Sequence, residues 1–289
     1  MARGISASKI SGFLLLTKPG IVLLVLITTL GGMYIANRQI PSEELVFWTL
    51  LGTGLASAGS ASLNQYLDKD IDALMLRTMS RPIVSGLVSA YEAFVFGSIL
   101  LFGGFFILLS KVNATSAALA LSTGLYYVLL YTYILKRKTA LATELGGIAG
   151  AMPPVIGYSA VEGLINREAF ALFIIMFLWQ PAHFWALSIK YLDDYKRANI
   201  PIMALTKGIE YTKIKSLIYV ASLLPATLTL FAFGTVGEVY FWSSLLLSLF
   251  YLILCVLWIF KKVSDMFLFF YSVFYLTSLF SALVMDVRR

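Results

Sequence analysis

The sequence predicts an all-α, polytopic membrane protein that folds as a single domain over residues 1–289. Hydrophobic residues make up 60% of the 289-residue chain and charged residues only 13%. Soluble domains of this size do not have that balance. Apolar runs of roughly 20 residues, the length that crosses a bilayer as a helix, recur along the whole chain. Because no linker or low-complexity tract separates these runs, we expect one membrane-embedded domain.

Nine apolar runs are predicted to be transmembrane helices. They cover residues 14–36, 45–67, 91–110, 114–135, 141–160, 169–190, 214–233, 237–260 and 266–286. The segment before the first run has neither the apolar stretch nor the cleavage site of a signal peptide, so we expect that helix to be retained. The fifth run contains ELGGIAGAMPPVIGY, whose small residues allow close helix contact and whose prolines favour a break.

The distribution of Lys and Arg predicts the orientation in the membrane. Most of these residues lie in the N-terminal segment and in the loops after spans two, four, six and eight. The positive-inside rule therefore predicts a cell-membrane protein with a cytoplasmic N-terminus, and nine spans put its C-terminus outside. The net charge of +7 then reflects topology and gives no reason to expect nucleic-acid binding. The single cysteine, Cys255, excludes an internal disulfide.

A stripe of oxygen-bearing side chains follows the second span. Asn64, Asp68 and Asp72 are four residues apart, so on a helix they lie along one face. These side chains would need neutralising, and Mg²⁺ takes such oxygen ligands while sharing its other positions with substrate phosphates. The alternative is a solvated loop whose acids and bases pair, and we prefer that interpretation for Lys69 and Asp70.

A second acidic passage, KYLDDYKRANIPIM, follows the sixth span and contains Asp193 and Asp194. The only histidine of the chain, His183, lies upstream. On a continuous helix, His183, Lys190 and Asp194 would share a face, with Trp179 to one side. That face would hold a carboxylate at the membrane edge and an imidazole about 16 Å deeper. A lone histidine among apolar residues is more often a hydrogen-bonded packing residue.

The polar passages resemble the UbiA superfamily of intramembrane prenyltransferases, and within it the branch that farnesylates haem B. The resemblance rests on TKPGIV, NQYLDKDIDALMLRTMSRPIVSG, YTYILKRKTALATELGGIAGAMPPVIGY and LWQPAHFWALSIKYLDDYKRANIPIM. It runs from about Leu16 to Gly208. It implies a nine-helix UbiA-type bundle around a central cavity that opens at the cytoplasmic face. It also implies an enzyme that transfers a farnesyl group to a vinyl group of haem B (protohaem IX).

The resemblance further implies the roles of individual residues. Mg²⁺, the expected cofactor, would be held by Asn64, Asp68, Asp72, Asp193 and Asp194. The diphosphate would contact Lys18, Arg77, Arg81, Lys136, Arg137 and Lys190. Catalysis at the allylic carbon would involve Asp68, Asp72, Tyr131, Tyr133 and Lys136. The haem would contact His183 and Trp179. The expected partners are farnesyl diphosphate, haem B, the lipid bilayer, and a downstream haem A synthase or terminal-oxidase assembly proteins. The family's second motif has two aspartates where this chain has Lys190 and Asp194, so fewer carboxylates are available there.

Three other functions compete with this hypothesis. A UbiA-type enzyme for an aromatic quinone or chlorophyll precursor would share the diphosphate site but would have no need of His183. A transporter should carry polar residues through both halves of the bilayer, whereas the charges here crowd the predicted cytoplasmic edge. A non-catalytic haem-binding assembly protein would not need the aspartate stripe.

Overall fold

The computed structural model describes residues 9–288, which are almost entirely helical. The described residues form fourteen α-helices and one π-helical segment. In chain order the α-helices are α1 Lys9–Leu16, α2 Pro19–Asn37, α3 Glu43–Leu74, α4 Ala90–Lys111, α5 Ala114–Leu125, α6 Lys136–Lys138, α7 Ala142–Gly150, α8 Pro153–Glu162, α9 Arg167–Lys190, α10 Leu192–Arg197, α11 Met203–Thr206, α12 Ile209–Ala232, α13 Glu238–Ile259 and α14 Asp265–Met285. The π-helical segment, Tyr126–Leu135, joins α5 to α6 without a break.

The predicted all-α membrane class is confirmed. Among the described residues, eight helices are long and apolar enough to span a bilayer, and they match eight of the nine predicted spans. The fifth predicted span, 141–160, is instead two half-helices, α7 and α8, of 9 and 10 residues. Each is about 15 Å long or less and too short to cross alone. The break falls before Pro153, which begins α8, where its missing amide hydrogen costs no hydrogen bond.

The second span is longer than predicted, and this extension positions the acidic stripe. Helix α3 runs for 32 residues to Leu74, beyond the predicted end at residue 67. Its start is fixed by Ser42, whose side chain accepts a hydrogen bond from the Leu45 amide at 3.4 Å. Asp68 and Asp72 therefore lie on the same continuous helix as the apolar span. The predicted alignment of the stripe along one helix face follows from that continuity.

Glycines bring α3 and α4 into backbone contact. A Cβ atom added to Gly59 would lie 2.5 Å from the Gly97 carbonyl oxygen, and one added to Gly104 would lie 2.4 Å from the Gly52 carbonyl oxygen. Helices in a bilayer associate through such close packing of small residues, because lipid is as apolar as the helix surface. The α3–α4 pair forms one wall of the bundle.

Helices α2 and α8 approach equally closely. A Cβ atom on Gly32 would lie 2.0 Å from the carbonyl oxygen of Pro154, and one on Gly157 would lie 1.9 Å from that of Thr29. Both distances are well inside van der Waals contact, so no larger residue fits without moving a helix. The half-helix α8 is thereby held against α2 along its whole length.

We expect Gly157→Ala to destabilise the protein by about 2 kcal/mol or more, because overpacking of this kind forces the backbone to shift. Thermal unfolding of the detergent-purified protein would measure the loss. Gly103→Ala is the matched control, since an added Cβ meets nothing within 4 Å there and alanine favours the helix. Equal unfolding temperatures for the two variants would contradict the backbone contact between α2 and α8.

Two packed groups of helices flank a central cavity. A small apolar core joins α3, α4 and α5, and a larger one joins α9, α12, α13 and α14. The cavity between them is walled by α2, α3, α5, the π-helical segment, α7, α8 and α9. The predicted charged passages meet at one end of this bundle, where α1 passes into α2 and where α3, the π-helical segment and α9 end.

Candidate active site

The central cavity has two connected lobes. The main lobe has a volume of about 420 Å³ and contains most of the charged side chains that line the cavity. The apolar lobe, of about 230 Å³, runs between α3, α5 and α8. Lys18, Tyr127, Tyr131 and Gln180 line both lobes and therefore mark their junction.

The main lobe brings together most of the predicted site residues. The predicted residues that line it are Lys18, Asn64, Asp68, Asp72, Arg77, Arg81, Tyr131, Lys136, Trp179 and His183. They come from segments far apart in the sequence, so the fold gathers them. The candidate site is therefore a single cavity with an acid–base end and an aromatic end.

Asn64 and Asp68 lie at the centre of the acid–base end. Lys18 Nζ donates to Asn64 Oδ1 at 2.6 Å, and Asn64 Nδ2 donates to Asp68 Oδ2 at 2.9 Å. Lys136 Nζ lies 2.6 Å from the same Asp68 oxygen. Asn64 and Asp68 are almost fully buried, at 3% and 1% exposure. The carboxylate is thus held by hydrogen bonds and one cation in a region largely shielded from solvent.

The other two buried aspartates are also paired with cations. Arg81 Nη1 lies 2.6 Å from Asp72 Oδ2. Asp194 accepts the Arg77 backbone N–H at 3.0 Å and pairs with Arg197. Asp194 therefore ties α10 to the loop that follows α3, and it is not among the residues that line the cavity wall. Each carboxylate at this end has a basic partner.

The donors on α3 fit a magnesium ion. Asp68 Oδ1 is buried and has no hydrogen-bond partner within residues 9–288, so this oxygen has a free lone pair. Asp68, Asp72 and the Asn64 amide supply the hard oxygen atoms that Mg²⁺ uses together with phosphate oxygens and water. Across the same residues, no three Asp, Glu, His or Cys side chains are gathered in the way that a cage made of protein ligands alone would need. The arrangement therefore suits an ion that is shared with a ligand.

Lys18 lies in the turn between α1 and α2, in a left-handed backbone conformation. Burial, and then the nearby guanidinium of Arg81, lower the pKa of Lys18 to about 7. An anionic ligand in the main lobe would oppose both effects and favour the charged amine. Lys18 is accordingly suited to contact a phosphate group.

The π-helical segment determines which side chains of the fourth span face the cavity. Tyr127, Tyr131 and Lys136 all line the main lobe. In an α-helix, Tyr127 and Lys136 would be separated by about two and a half turns and would lie on opposite faces. A π-helix has more residues in each turn, so the same separation is about two whole turns. Thr132 supports this geometry by donating to the Tyr127 carbonyl at 2.8 Å.

Several predicted site residues lie away from the cavity lining. Tyr133 is 61% exposed on the outside of the bundle, because it is two residues from the inward-facing Tyr131 and so lies on the opposite side of the segment. Arg137 forms a bidentate pair with Asp70 at 2.7 Å on the outer side of α3. Lys190 and Asp193 are exposed.

The predicted shared face of His183, Lys190 and Asp194 is wrong. Helix α9 ends at Lys190, and Asp194 belongs to the separate helix α10. Tyr191, between them, has a non-helical backbone conformation. The chain therefore turns at the membrane edge, and Asp194 is positioned through its contact with Arg77.

His183 lies at the aromatic end of the main lobe. Its ring stacks between Trp179, at 4.5 Å and 21°, and Phe269, at 4.5 Å and 26°. Its Nδ1 atom is 2.6 Å from the hydroxyl of Ser272 on α14. Trp179 is fixed to the same helix, because its Nε1 donates to the Ser272 carbonyl at 2.7 Å. The histidine is thus part of the cavity wall and is also held from outside it.

Sequence reasoning missed four residues of the site. Tyr127, Thr132, Gln180 and Ser272 either line the cavity or bond to residues that do. Gln180 Nε2 donates to the Gly147 carbonyl at 3.0 Å, which ties α9 to α7 at the junction of the lobes. WQPAHF contains Gln180 and could have identified it, since an amide in the middle of an apolar span is costly unless it is used. Ser272 gave no such signal.

Comparisons with known proteins show which family shares this fold. The UbiA prenyltransferase family model matches residues 25–280. A protoheme IX farnesyltransferase of Aquifex aeolicus (strain VF5) is 51% identical over 97% of this chain and 96% of its own length. A solved digeranylgeranylglyceryl phosphate synthase has a TM-score of 0.78 at 17% identity, covering 96% of this chain and 98% of its own. A UbiA homolog from Archaeoglobus fulgidus bound to GPP and Mg²⁺ has a TM-score of 0.66 at 15% identity, covering 94% and 99%.

The bundle, with its buried acid–base cluster and adjoining apolar lobe, is that of an intramembrane prenyltransferase. The identity to the Aquifex aeolicus relative extends over nearly all of both chains. The chain belongs to the UbiA prenyltransferase family and, within it, to the protoheme IX farnesyltransferases.

Proposed function

We propose that the chain transfers the farnesyl group of farnesyl diphosphate to a vinyl group of haem B, giving haem O. In this reaction the allylic carbon–oxygen bond breaks, and its electron pair leaves with the diphosphate. The vinyl π electrons form the new carbon–carbon bond, and the resulting cation takes up water and releases a proton. The observation that carries the proposal is one cavity in which an acid–base cluster, an apolar lobe and a histidine adjoin.

The acid–base end is proposed to bind the diphosphate. Lys18, Arg77, Arg81 and Lys136 line the main lobe there. Cations around a departing diphosphate stabilise the charge that develops in the transition state. Asn64, Asp68 and Asp72 are proposed to hold Mg²⁺, which when bound adds further positive charge to the leaving group. Asp194 would support the site by holding the Arg77 backbone.

Tyr127 and Tyr131 are proposed to stabilise the allylic cation. Their rings stack at 5.4 Å and 22° at the junction of the two lobes. An aromatic face attracts a nearby cation by about 2 kcal/mol or more when water is excluded. This position adjoins both the proposed diphosphate site and the route of the prenyl chain.

The apolar lobe is proposed to hold the farnesyl chain. Small side chains of α3 line it from Ala61 to Thr53, and Ala120 and Gly124 of α5 line its other side. Eight residues of helix span about 12 Å, which is close to the length of an extended farnesyl chain. The acid–base end lies next to this lobe, as a diphosphate joined to a prenyl tail requires.

We expect Ser57→Phe to shift the donor preference toward geranyl diphosphate by about tenfold, or about 1.4 kcal/mol. Ser57 is half-buried and lines the apolar lobe about 10 Å along α3 from Asn64, so a phenyl ring would fill the space of the last isoprene unit. Competition between the two donors, with products separated by mass, measures the shift. Ser110→Phe, on the exposed side of α4, is the control. An unchanged donor preference would contradict the placement of the farnesyl chain in this lobe.

The aromatic end is proposed to bind haem B through His183 and Trp179. Both residues line the main lobe. An unprotonated imidazole nitrogen is a common iron ligand in proteins. Haem held there would present a vinyl group toward the junction where the allylic cation forms.

The orientation and the cellular partners are part of the same proposal. The acid–base end would face the cytoplasm, with the C-terminus outside, as the positive-inside bias predicts. Haem O would pass within the bilayer to a haem A synthase or to terminal-oxidase assembly proteins. Its new prenyl tail favours transfer through the membrane.

A turnover assay tests the function directly. Purified protein in liposomes would receive farnesyl diphosphate, Mg²⁺ and haem B, and the pigment would be identified by mass spectrometry. A hydroxyethylfarnesyl product is expected. If the preparation prenylates an aromatic acceptor and leaves haem unchanged, the proposed diphosphate site is retained and haem B is not the acceptor. Release of diphosphate with no acceptor modified would overturn the transfer reaction.

A further inference from the structure

The hydroxyl of Ser272, a residue in the last span, contacts the histidine of the cavity. Ser272 is fully buried on α14. Its Oγ lies 2.6 Å from His183 Nδ1 and 2.5 Å from the carbonyl oxygen of Phe269. No motif of the sequence indicated this residue.

The hydroxyl of Ser272 connects His183 to the Phe269 carbonyl. That carbonyl can only accept, and the bond to it uses the single hydroxyl hydrogen of Ser272. With that bond formed, the hydroxyl oxygen is an acceptor for His183, an arrangement that favours a proton on Nδ1. In a neutral imidazole the other nitrogen, Nε2, is then left with a lone pair.

Three residues cover most of the imidazole ring. Trp179 and Phe269 stack on its two faces, and Ser272 occupies the Nδ1 edge. His183 is nevertheless part of the wall of the main lobe. The remaining edge, which includes Nε2, is the part of the ring that these three residues leave to the lobe.

We propose that Ser272 is a positioning residue that holds His183 in the Nδ1–H tautomer, so that the Nε2 lone pair faces the cavity and ligates haem iron. The inference rests on the proposed haem acceptor. Hydrogen bonds of this kind to a ligating histidine orient the ring and raise the basicity of the nitrogen that binds the metal. Losing one typically lowers metal affinity about 10–100-fold.

The tautomer can be measured without haem, because His183 is the only histidine of the chain. Protein purified without a histidine tag and labelled with ¹⁵N-histidine would give one pair of ring nitrogen signals. We expect a protonated Nδ1 and an unprotonated Nε2. Ser272→Ala should remove this preference, and Ser272→Thr, which keeps the hydroxyl, should retain it.

Haem titration then links the tautomer to ligation. Ser272→Ala should weaken ferric haem B binding at least tenfold and lower the iron–imidazole stretching frequency of the ferrous complex, with Ser272→Thr near wild type. Ser244→Ala is the control for lost packing, since Ser244 is equally buried and its hydroxyl donates to the Phe241 carbonyl of its own helix. Ser272→Cys, a weaker acceptor of similar size, replaces the alanine variant if that variant does not fold.

Each outcome decides the inference. A wild-type signal with the proton on Nε2 overturns it. A changed tautomer with unchanged haem affinity in Ser272→Ala also overturns it, and so does an unchanged tautomer. If the inference fails in one of these ways but the wild-type protein still produces haem O, the proposed function stands. If the wild-type protein binds no haem, both the role of Ser272 and the proposed function are overturned.

Discussion

Asp68→Ala is expected to lower the turnover of farnesyl diphosphate and haem B about 10³-fold or more. Asp68 is buried at the centre of the acid–base end, where Asn64 and Lys136 share one carboxylate oxygen. The other oxygen has no hydrogen-bond partner in the described part of the chain. Removing it takes away the proposed magnesium ligand and releases Lys136 from its position. Losses of about 10²–10³-fold accompany removal of a single group that stabilises developing charge. Product formation measured by mass spectrometry would quantify the effect.

Two further variants separate chemistry from folding. Asp68→Asn keeps the shape of the side chain and should fold normally yet remain almost inactive. Asp70→Ala, two residues along the same helix, removes an exposed carboxylate that pairs with Arg137, and should keep near wild-type turnover. Full activity in Asp68→Asn would contradict the proposal that Asp68 is a magnesium ligand. Equal losses in the Asp68 and Asp70 variants would show that charge loss on α3 acts in general, without a specific site.

His183→Ala is expected to weaken haem B binding about 10–100-fold and to leave farnesyl diphosphate affinity nearly unchanged. His183 lies at the aromatic end of the main lobe, stacked between Trp179 and Phe269 and bonded through Nδ1 to Ser272. Haem binding would be followed by the Soret band, and farnesyl diphosphate binding by calorimetry. Imidazole added to the variant should restore part of the wild-type haem spectrum, because it can enter the space that the side chain leaves.

A larger effect of His183→Ala on farnesyl diphosphate affinity than on haem affinity would contradict a haem-binding role for His183. A variant that loses farnesyl diphosphate affinity and keeps haem affinity would mean that His183 supports the diphosphate site or the packing of α9 against α14. An unchanged haem spectrum, with imidazole having no effect, would mean that another residue holds the iron.

The acidic stripe was predictable from sequence because it depends on one continuous helix. Because α3 extends to Leu74, the four-residue spacing places Asn64, Asp68 and Asp72 on one face of that helix. Asp194 was not predictable in this way, since its position depends on the turn at Tyr191 and on a contact with the Arg77 backbone. Spacing arguments hold within one helix and fail across a bend.

The fourth and last spans show two other reasons for missed residues. Tyr127 and Lys136 face the same cavity because the span is π-helical there, and the periodicity of apolar residues does not reveal that change of pitch. Ser272 is one serine among several in apolar spans, and its importance comes from a contact with a residue 89 positions away. Such information lies in the tertiary structure alone.

The carboxylates at the acid–base end are each paired with a cation, and this pairing affects how strongly lipid phosphates can bind there. A bilayer presents phosphate headgroups at high concentration, and lysines and arginines left open at the membrane edge would bind them. Here Lys136 and Arg81 are already engaged by Asp68 and Asp72. A lipid phosphate brings only negative charge, so it would separate these pairs without giving the acids a new partner. In the proposed reaction, a diphosphate that arrives with a divalent cation would supply a partner to both the acids and the bases, and the site would thereby favour it over a lipid phosphate.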